Sequence, residues 1–342
     1  MDSAELKAKK NARLEDIARE AGVSISTVSR ALNDSPAVKR RTKQEIWRIA
    51  REHDYDFRRT MPSGPVGAEA TIAVIVPAPQ ARETRVADPF FLELLAGITE
   101  AARERNCDLI ISHIFPRSAE DLEFAMTTSR ATGMIFIGQS SLHDAFNSLA
   151  SRDDRFVVWG AEFPDAAYCT VGSDNVAGGR RATSHLLRLD RRRILFLGDT
   201  EAPEAEQRFR GYRQALEDAG IELDPELVIP AHFDVHSGEA TVRSAIEQGI
   251  GFDAVFAASD LIAIGAMRAL DRSGRSVPGD VSVVGYDNIP AARLVTPRLT
   301  TIDQDTNLAG RMLVSKLIDT KSGQANSERL ETSLLIRDSC GG

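Results

Sequence analysis

The chain has little of what metal, disulfide and membrane proteins depend on. Its three cysteines show neither metal-ligand nor disulfide spacing, which predicts reduced, unpaired thiols as in a cytoplasm. Its six histidines are scattered, so no metal site, no cofactor and no histidine-based catalyst is expected. No apolar run approaches the ~20 residues of a membrane span. The chain opens on charge rather than on an apolar run, so we expect no secretory leader and a soluble, cytoplasmic protein.

A net positive charge is also lacking, but the charges are unevenly distributed. The formal net charge is −8, which taken alone disfavours a nucleic-acid partner. Residues 1–60 nevertheless hold 14 Lys and Arg against 10 Asp and Glu, a net of +4, and the remainder carries −12. A basic head on an acidic body is expected when one end meets phosphate. The run Lys39-Arg-Arg41 is a candidate phosphate contact, with a solvated loop as the alternative.

The segment 14–33 predicts two short helices joined by a tight turn. Ile17, Ala18 and Ala21 share one helical face, and Gly22 can adopt the positive φ that ends the first helix. Ser24 is a candidate N-cap for the second helix. This layout is typical of a DNA-binding helix-turn-helix.

The predicted second helix has distinct inner and outer faces. Val28 and Leu32 form the inner, apolar face at a four-residue spacing. The outer face carries hydroxyl groups and one guanidinium that can pair with guanine in a major groove; its residues are Ile25, Ser26, Ser29 and Arg30. Two ordinary surface helices are the alternative. A third amphipathic helix predicted over residues 42–53 favours DNA binding. Trp47 of this helix is expected to pack in the core of the head rather than to stack on a base.

Beyond a Pro/Gly-rich linker at residues 58–67, short apolar runs alternate with helical segments. Two such series imply an α/β body of two doubly wound lobes with parallel sheets. The first series has strands at 71–76, 109–111, 133–138 and 156–159, and helices at 90–106, 119–129 and 142–151. The second has strands at 193–198, 227–229, 254–257 and 281–286, and helices at 179–189 and 209–219. Ligands of such folds bind at the carboxyl ends of strands, here in a cleft between lobes.

Aromatic, acidic and basic residues follow these strands and are candidates for binding a small effector. Aromatic rings stack on sugar C–H faces, and charged groups bond hydroxyls, so a polyhydroxylated ligand is favoured. For Asp260 a helix cap is an equal alternative, and for Phe90 a core position. The candidates are Phe90, Phe91, Trp159, Glu162, Arg208, Phe233, Asp260 and Asp287.

These motifs closely resemble the lac-repressor (LacI/GalR) family of bacterial transcription regulators from about residue 13 to 337. Besides the helix-turn-helix, the resemblance rests on three stretches of the body: Ala258-Ser-Asp260, Val277-Pro-Gly-Asp-Val-Ser-Val-Val-Gly-Tyr-Asp-Asn288 and Leu299-Thr-Thr-Ile-Asp-Gln304. It implies a homodimer or larger assembly, with a C-terminal body like periplasmic sugar-binding proteins. The domains are then a head (1–58), a linker (59–70), an N-subdomain (71–171 and about 303–330) and a C-subdomain (172–302 and about 331–342). The chain is expected to pass between the two subdomains near Gly172, near Ile302 and before a final strand at 331–336.

The resemblance also implies residue roles. Base-reading positions fall on Ile25, Ser26 and Arg30, and the usual phosphate contacts on Ser24, Thr27, Asn33, Lys39, Thr42 and Tyr55. Effector positions fall on Arg208, Asp260 and Asp287, and wall residues on Phe91 and Phe233. Gln304, at a crossover between the lobes, is a further effector candidate. The implied function is a DNA-binding regulator, expected to be a repressor, that binds a pseudopalindromic operator and responds to a mono- or oligosaccharide. A nucleobase effector is the alternative.

Two departures from the family pattern alter the expectations. The family's hinge helix, whose leucine enters the minor groove, is replaced by a stretch containing Pro62, Gly64 and Pro65, which cannot form a stable helix interior. We therefore expect a different linker contact, through Arg58, Arg59 or Met61. Many relatives also have Asp-Arg where this chain has Gly160-Ala161, which removes one charged ligand contact.

Two other classes of protein are weighed against the regulator. An enzyme on the same body is disfavoured, because the Gly-rich stretch 171–179 lacks the spacing of a phosphate loop and Ser173 with His185 makes no credible catalytic pair. A sugar-transport protein is disfavoured by the head and by the lack of a leader.

Overall fold

The computed structural model describes residues 14–32, 38, 42, 46, 49, 70–77, 88–112, 114–139, 141–320 and 326–341. The chain divides into two compact units, residues 1–69 and residues 70–342. Several predictions fall outside the described residues: the linker, Trp47, the side chains of Ser29 and Leu32, and the DNA contacts Asn33, Lys39, Tyr55, Arg58 and Arg59. Within the described part, none of the helices is long and apolar enough to cross a membrane.

The first unit contains the two predicted helices, α1 (Leu14–Glu20) and α2 (Ile25–Leu32). Gly22 has a φ of +64° at the turn, where a side chain would be strained. The Ser24 hydroxyl accepts the Thr27 N–H at 3.1 Å and caps α2 as predicted. Apolar side chains close a small core beneath both helices; it includes Ile17, Ala18, Val28, Ala31, Val38, Ile46 and Ile49.

The body contains two six-stranded sheets, which confirms the predicted α/β fold class. The first sheet has the order β2-β1-β3-β4-β5-β11 and is parallel throughout. Its strands are β1 (Ala70–Ile75), β2 (Cys107–Ile111), β3 (Gly133–Ile137), β4 (Phe156–Trp159), β5 (Thr170–Ser173) and β11 (Glu328–Leu330). Its helices are α3 (Pro89–Glu104), α4 (Ala119–Thr128), α5 (His143–Ala150) and α10 (Thr306–Thr320).

The second sheet has the order β7-β6-β8-β9-β10-β12, in which only the β10–β12 pair among these described strands is antiparallel. Its strands are β6 (Ile194–Leu197), β7 (Val228–Ile229), β8 (Ala254–Ala257), β9 (Ser282–Asp287), β10 (Thr300–Asp303) and β12 (Ser333–Leu335). Its helices are α6 (Asn175–Arg188), α7 (Pro203–Asp218), α8 (Val235–Glu247) and α9 (Asp260–Arg272). β6 and β8 are buried along their whole length, which explains their unbroken apolar sequences.

The chain passes between the two lobes three times. It leaves the first sheet after β5, returns after β10 to form α10, and passes directly from β11 to β12. Two predicted limits shift as a result. Gly172 and Ser173 belong to β5 of the first sheet, and Asp303 is the last residue of β10 in the second.

Close helix crossings built on glycine pairs hold each lobe together. A Cβ on Gly211 of α7 would lie 2.0 Å from the carbonyl oxygen of Val176 in α6, and one on Gly179 would lie 2.1 Å from that of Arg208. Any side chain at these positions would force the two helices apart. Gly238 with Gly265 plays the same part between α8 and α9, and Gly97 with Gly310 between α3 and α10.

Candidate DNA-binding helix and effector cleft

The outer face of α2 presents the predicted base-reading groups to solvent. Ile25 is 46% exposed, and Ser26 and Arg30 are also exposed, whereas Val28 is fully buried beneath them. The Ser24 hydroxyl lies 2.9 Å from that of Ser26 and 2.8 Å from that of Thr27. The burial of Val28 therefore fixes which side of α2 is available to a partner. Thr42, a predicted phosphate contact, is half-buried.

In the body, three predicted effector residues meet where β9 and β10 end. The Gln304 amide donates to Asp287 Oδ1 at 2.6 Å. Arg208 Nη1 lies 3.7 Å from the same oxygen, and the two charged side chains are only 5% and 10% exposed. Asp287 thus lies between a cation from α7 and an amide from the crossing that follows β10.

Arg208 is held by groups that the sequence analysis did not identify. Its Nε donates to Asn175 Oδ1 at 2.9 Å, and its Nη1 donates to the carbonyl oxygen of Ala258. The guanidinium carbon lies 3.8 Å from the centre of the Tyr286 ring, a favourable cation–π distance. Asn175 and Tyr286 therefore fix the guanidinium plane. Tyr286 directly precedes Asp287, so its position beside the strand end is the one feature that pointed to it.

Asp260 is not the N-cap of α9, and its carboxylate is hydrogen-bonded inside the second lobe. Ser259, rather than Asp260, caps α9, because its hydroxyl accepts the Ile262 N–H. Asp260 is fully buried, and its two carboxylate oxygens accept the Ile289 N–H at 2.9 Å and the Thr301 hydroxyl at 2.5 Å. Because the side chain is fully buried and both oxygens accept hydrogen bonds within the fold, the carboxylate positions the loop after β9. Its predicted contact with an effector stays a prediction.

That loop has an unusual backbone beside a cluster of buried acids. Asp287 has a φ of 112° and Asn288 a φ of 58°, conformations that side-chain-bearing residues seldom adopt. Burial raises the pKa of Asp287 well above its ordinary value, against the attraction of Arg208, and nearby Asp260 and Asp88 raise this pKa further. Burial also raises the pKa of Asp260 to about 7 and that of Asp88, the N-cap of α3, above its ordinary value. The pKa values of three neighbouring carboxyl groups therefore lie above their ordinary range.

The aromatic candidates divide between cleft and core. Phe90 is half-buried and packs against the apolar clusters of both lobes, so it lies where the lobes meet. Its ring centre lies 5.9 Å from that of Trp159 and 6.1 Å from that of Phe91. Trp159 itself is only 5% exposed and belongs to the first lobe's core, so it supports the wall from behind. Phe233 packs partly against the second lobe's core, just before α8.

Glu162 is already engaged by a residue distant in sequence. Its Oε2 accepts the Arg329 Nε–H at 3.0 Å, and its carbonyl oxygen accepts the Gln207 amide from the other lobe at 3.2 Å. The predicted effector role of its carboxylate is therefore not supported. Next to it, the Gln139 amide donates to the Ala161 carbonyl at 2.6 Å, and a Cβ on Gly160 would lie 2.7 Å from the Gln139 side chain. Gln139, which the sequence analysis missed, fills the space beside Gly160.

Two cavities differ in their relation to these residues. One of about 230 Å³ opens where the lobes join and is lined by residues including Phe90, Asp287, Asn288, Arg293 and Thr306. A larger groove of about 640 Å³ lies on the second lobe beside β7 and α8 and contains none of the predicted effector residues. The smaller cavity is the candidate effector site, because Phe90 and Asp287 both line it. No group of His, Cys, Asp or Glu among the described side chains could hold a metal ion.

Comparison with known proteins now identifies the family. Residues 13–56 match bacterial regulatory proteins of the lacI family, and residues 183–340 match the periplasmic binding protein-like domain. The HTH-type transcriptional regulator CelR of Thermobifida fusca is 33% identical over 338 residues, covering 95% of this chain and 97% of that protein. The chain belongs to the lacI family of bacterial regulatory proteins. It is therefore a transcriptional regulator rather than an enzyme, as the sequence predicted.

Solved structures of lacI-family proteins agree with this identification. The transcriptional regulator CelR–cellobiose complex is 31% identical, covers 96% of this chain and 100% of that chain, and superposes with a TM-score of 0.70. The lac repressor dimer bound to operator and the anti-inducer ONPF is 25% identical, covers 97% and 99%, and gives a TM-score of 0.73.

Proposed function

We propose that this lacI-family regulator is a repressor that binds a pseudopalindromic operator as a homodimer and is controlled by a mono- or oligosaccharide bound between its lobes. The observation that carries the proposal is the meeting of Arg208, Asp287 and Gln304 at the end of the second sheet, beside a cavity that Phe90 also lines. A ring for stacking and buried polar groups for hydroxyls suit a sugar. The similar CelR was solved with cellobiose, which supports the same ligand class.

In the proposed DNA complex α2 lies in the major groove. Ile25, Ser26 and Arg30 are exposed on one side of that helix, and the lac repressor, a similar protein, was solved bound to operator. Two copies would place their α2 helices about 34–36 Å apart in successive grooves. The proposed site of action is the cytoplasm, where a bacterial operator lies.

The proposed homodimer has candidate contact surfaces on the body. Leu92 of α3 is 47% exposed, and Ile110 and Ile111 of the edge strand β2 are 48% and 52% exposed. α3 leads directly into β2 along the chain. Exposed aliphatic groups beside a sheet edge are typical of surfaces that a second copy covers. The similar lac repressor was solved as a dimer, which supports the same assembly.

The proposed switch couples the cleft to the heads. An effector that binds one arrangement of the lobes better than the other shifts the population between them, with a coupling energy of about 1–3 kcal/mol. The linker, which lies outside the described residues, is proposed to contact DNA through Arg58, Arg59 or Met61 instead of a hinge helix. An ordered hinge helix over residues 58–65 in a DNA complex would contradict that part.

The DNA arm is tested by binding to the upstream region of the protein's own gene. Arg30→Ala should weaken specific binding by about 1–3 kcal/mol if Arg30 pairs with a guanine. The same titration on scrambled DNA at equal salt is the control. An equal loss on both duplexes would show that Arg30 contacts phosphate only, and no binding by the wild type would contradict regulation of that region.

The effector arm is tested by thermal unfolding against a carbohydrate panel that includes cellobiose and ribose, with nucleobases and nucleosides as a second panel. A ligand that binds only the folded protein raises the melting temperature, by an amount that grows with its concentration. Asp287→Asn should abolish the rise caused by any active sugar. A rise with nucleobases and none with sugars would replace the proposed ligand class.

A further inference from the structure

One apolar side chain on α2 has no partner within the described head. Ile25 is the first residue of α2 and is 46% exposed, whereas Val28 and Ala31 of the same helix are fully buried. No other large apolar side chain among the described head residues is exposed to this degree. Since the buried residues fix the rotation of α2, Ile25 points away from the head's own core.

The hydroxyl groups around Ile25 are bound to one another. Ser24 Oγ accepts the Thr27 N–H at 3.1 Å and lies 2.8 Å from Thr27 Oγ1 and 2.9 Å from Ser26 Oγ. The Ser26 hydroxyl, although exposed, is therefore held by the cap of its own helix. Among these residues, the groups left without an internal role are the Ile25 side chain and, one turn further on, the exposed Arg30.

The floor of the major groove offers one apolar group, the C5 methyl of thymine, and the N-terminal residues of a second helix are those that contact base edges. We propose that Ile25 reads the methyl group of a thymine in each operator half-site. This assignment rests on the proposed function, because it requires α2 to enter the major groove. Ile25 is then a specificity-determining residue by apolar contact, while the Ser24–Ser26–Thr27 cluster caps and orients the helix.

The test removes one methyl group at a time. Binding sites are selected from a random duplex library with the full chain, and each thymine of the selected site is then replaced by deoxyuridine, which has hydrogen at C5. Affinity is measured by fluorescence anisotropy at constant salt. At one thymine per half-site, deoxyuridine should weaken wild-type binding about fourfold, the effect of about one buried methyl group.

The variants separate this contact from general effects. Ile25→Ala should bind thymine and deoxyuridine equally at that position, whereas Ile25→Val, which keeps branched methyl groups, should retain the preference. Ser26→Ala is the matched control on the same turn and should respond to deoxyuridine like the wild type. Far-UV circular dichroism confirms that each head is folded, which is expected because Ile25 is outside the core.

Three outcomes would overturn the assignment in distinguishable ways. If no thymine methyl matters to the wild type, Ile25 reads no methyl group. If deoxyuridine weakens the wild type and Ile25→Ala equally, another residue contacts the methyl. If the library yields no enriched sequence at all, the proposed function fails and the assignment fails with it.

Discussion

Replacing Arg208 with methionine tests whether the cleft depends on compensation of the buried Asp287 charge. Methionine preserves much of the volume against Tyr286 but removes the donors to Asn175 and Ala258 and the cation 3.7 Å from Asp287. Removing one partner of a buried ion pair costs about 3–5 kcal/mol of unfolding free energy, chiefly because the other charge is left buried. We expect a loss of about this size at pH 8.

The same reasoning fixes how the loss changes with pH. Burial and two neighbouring carboxylates already raise the pKa of Asp287, and without Arg208 this pKa must rise further. The folded variant then takes up a proton that the unfolded chain has released, so its stability falls as pH rises. The loss caused by Arg208→Met should accordingly be smaller at pH 5.5 than at pH 8.

Urea unfolding followed by far-UV circular dichroism measures the difference at both pH values. Arg210→Met is the matched control: it lies on the same helix, its side chain is 47% exposed, and its nearest acid is 3.9 Å away, so its effect should stay within about 0.5 kcal/mol. Asp287→Asn should restore part of the stability of Arg208→Met. A loss that is equal at both pH values and is not relieved by Asp287→Asn would refute the charge argument.

Two further predictions concern stability. Asp287→Asn removes the group whose raised pKa makes wild-type stability fall as pH rises, so the free energy of unfolding of this variant relative to the wild type should increase with pH. Calorimetry showing a difference between the two proteins that is independent of pH would contradict this. Gly211→Ala should lower the free energy of unfolding by about 1–3 kcal/mol or more, because its Cβ would lie 2.0 Å from the Val176 carbonyl oxygen. Gly251→Ala is the control: the atom nearest to its Cβ, Arg193 Nε, lies 3.7 Å away, so urea unfolding should show no measurable change.

Strands with unbroken apolar sequences could be predicted closely from the sequence. Phe156–Trp159 and Ala254–Ala257 have the bounds that their apolar runs predict, because parallel strands buried on both faces need such runs. Helix starts were harder to predict. α6 begins at Asn175, four residues before the predicted start, since Asp174 caps it, and α7 begins at Pro203, six residues early. The first turns, Asn175-Val-Ala-Gly178 and Pro203-Glu-Ala-Glu206, contain few large apolar side chains, so a pattern based on apolar spacing did not include them.

The candidate site was predictable by position but not by contact. The sequence predicted that Arg208 and Asp287 follow strands, and parallel topology brings such ends together. The family resemblance placed Gln304 at a crossover between the lobes. The sequence could not show that the Arg329 guanidinium pairs with the Glu162 carboxylate, because the two residues are 167 positions apart. Nor could it choose between Ser259 and Asp260 as the cap of α9, since both residue types cap helices well.

The Gly97–Gly310 contact restricts the proposed switch at one of the three crossings between the lobes. It locks α10 to α3, and α10 begins only three residues after β10 ends, so rotation at this crossing must be absorbed between Asp303 and Thr306. Gln304, which donates to Asp287, lies within that short interval, as does Asp305 with its φ of 45°. A ligand that replaces the Gln304–Asp287 bond would therefore act directly on the crossing segment about which the lobes are proposed to rotate, and not on the outer parts of the lobes.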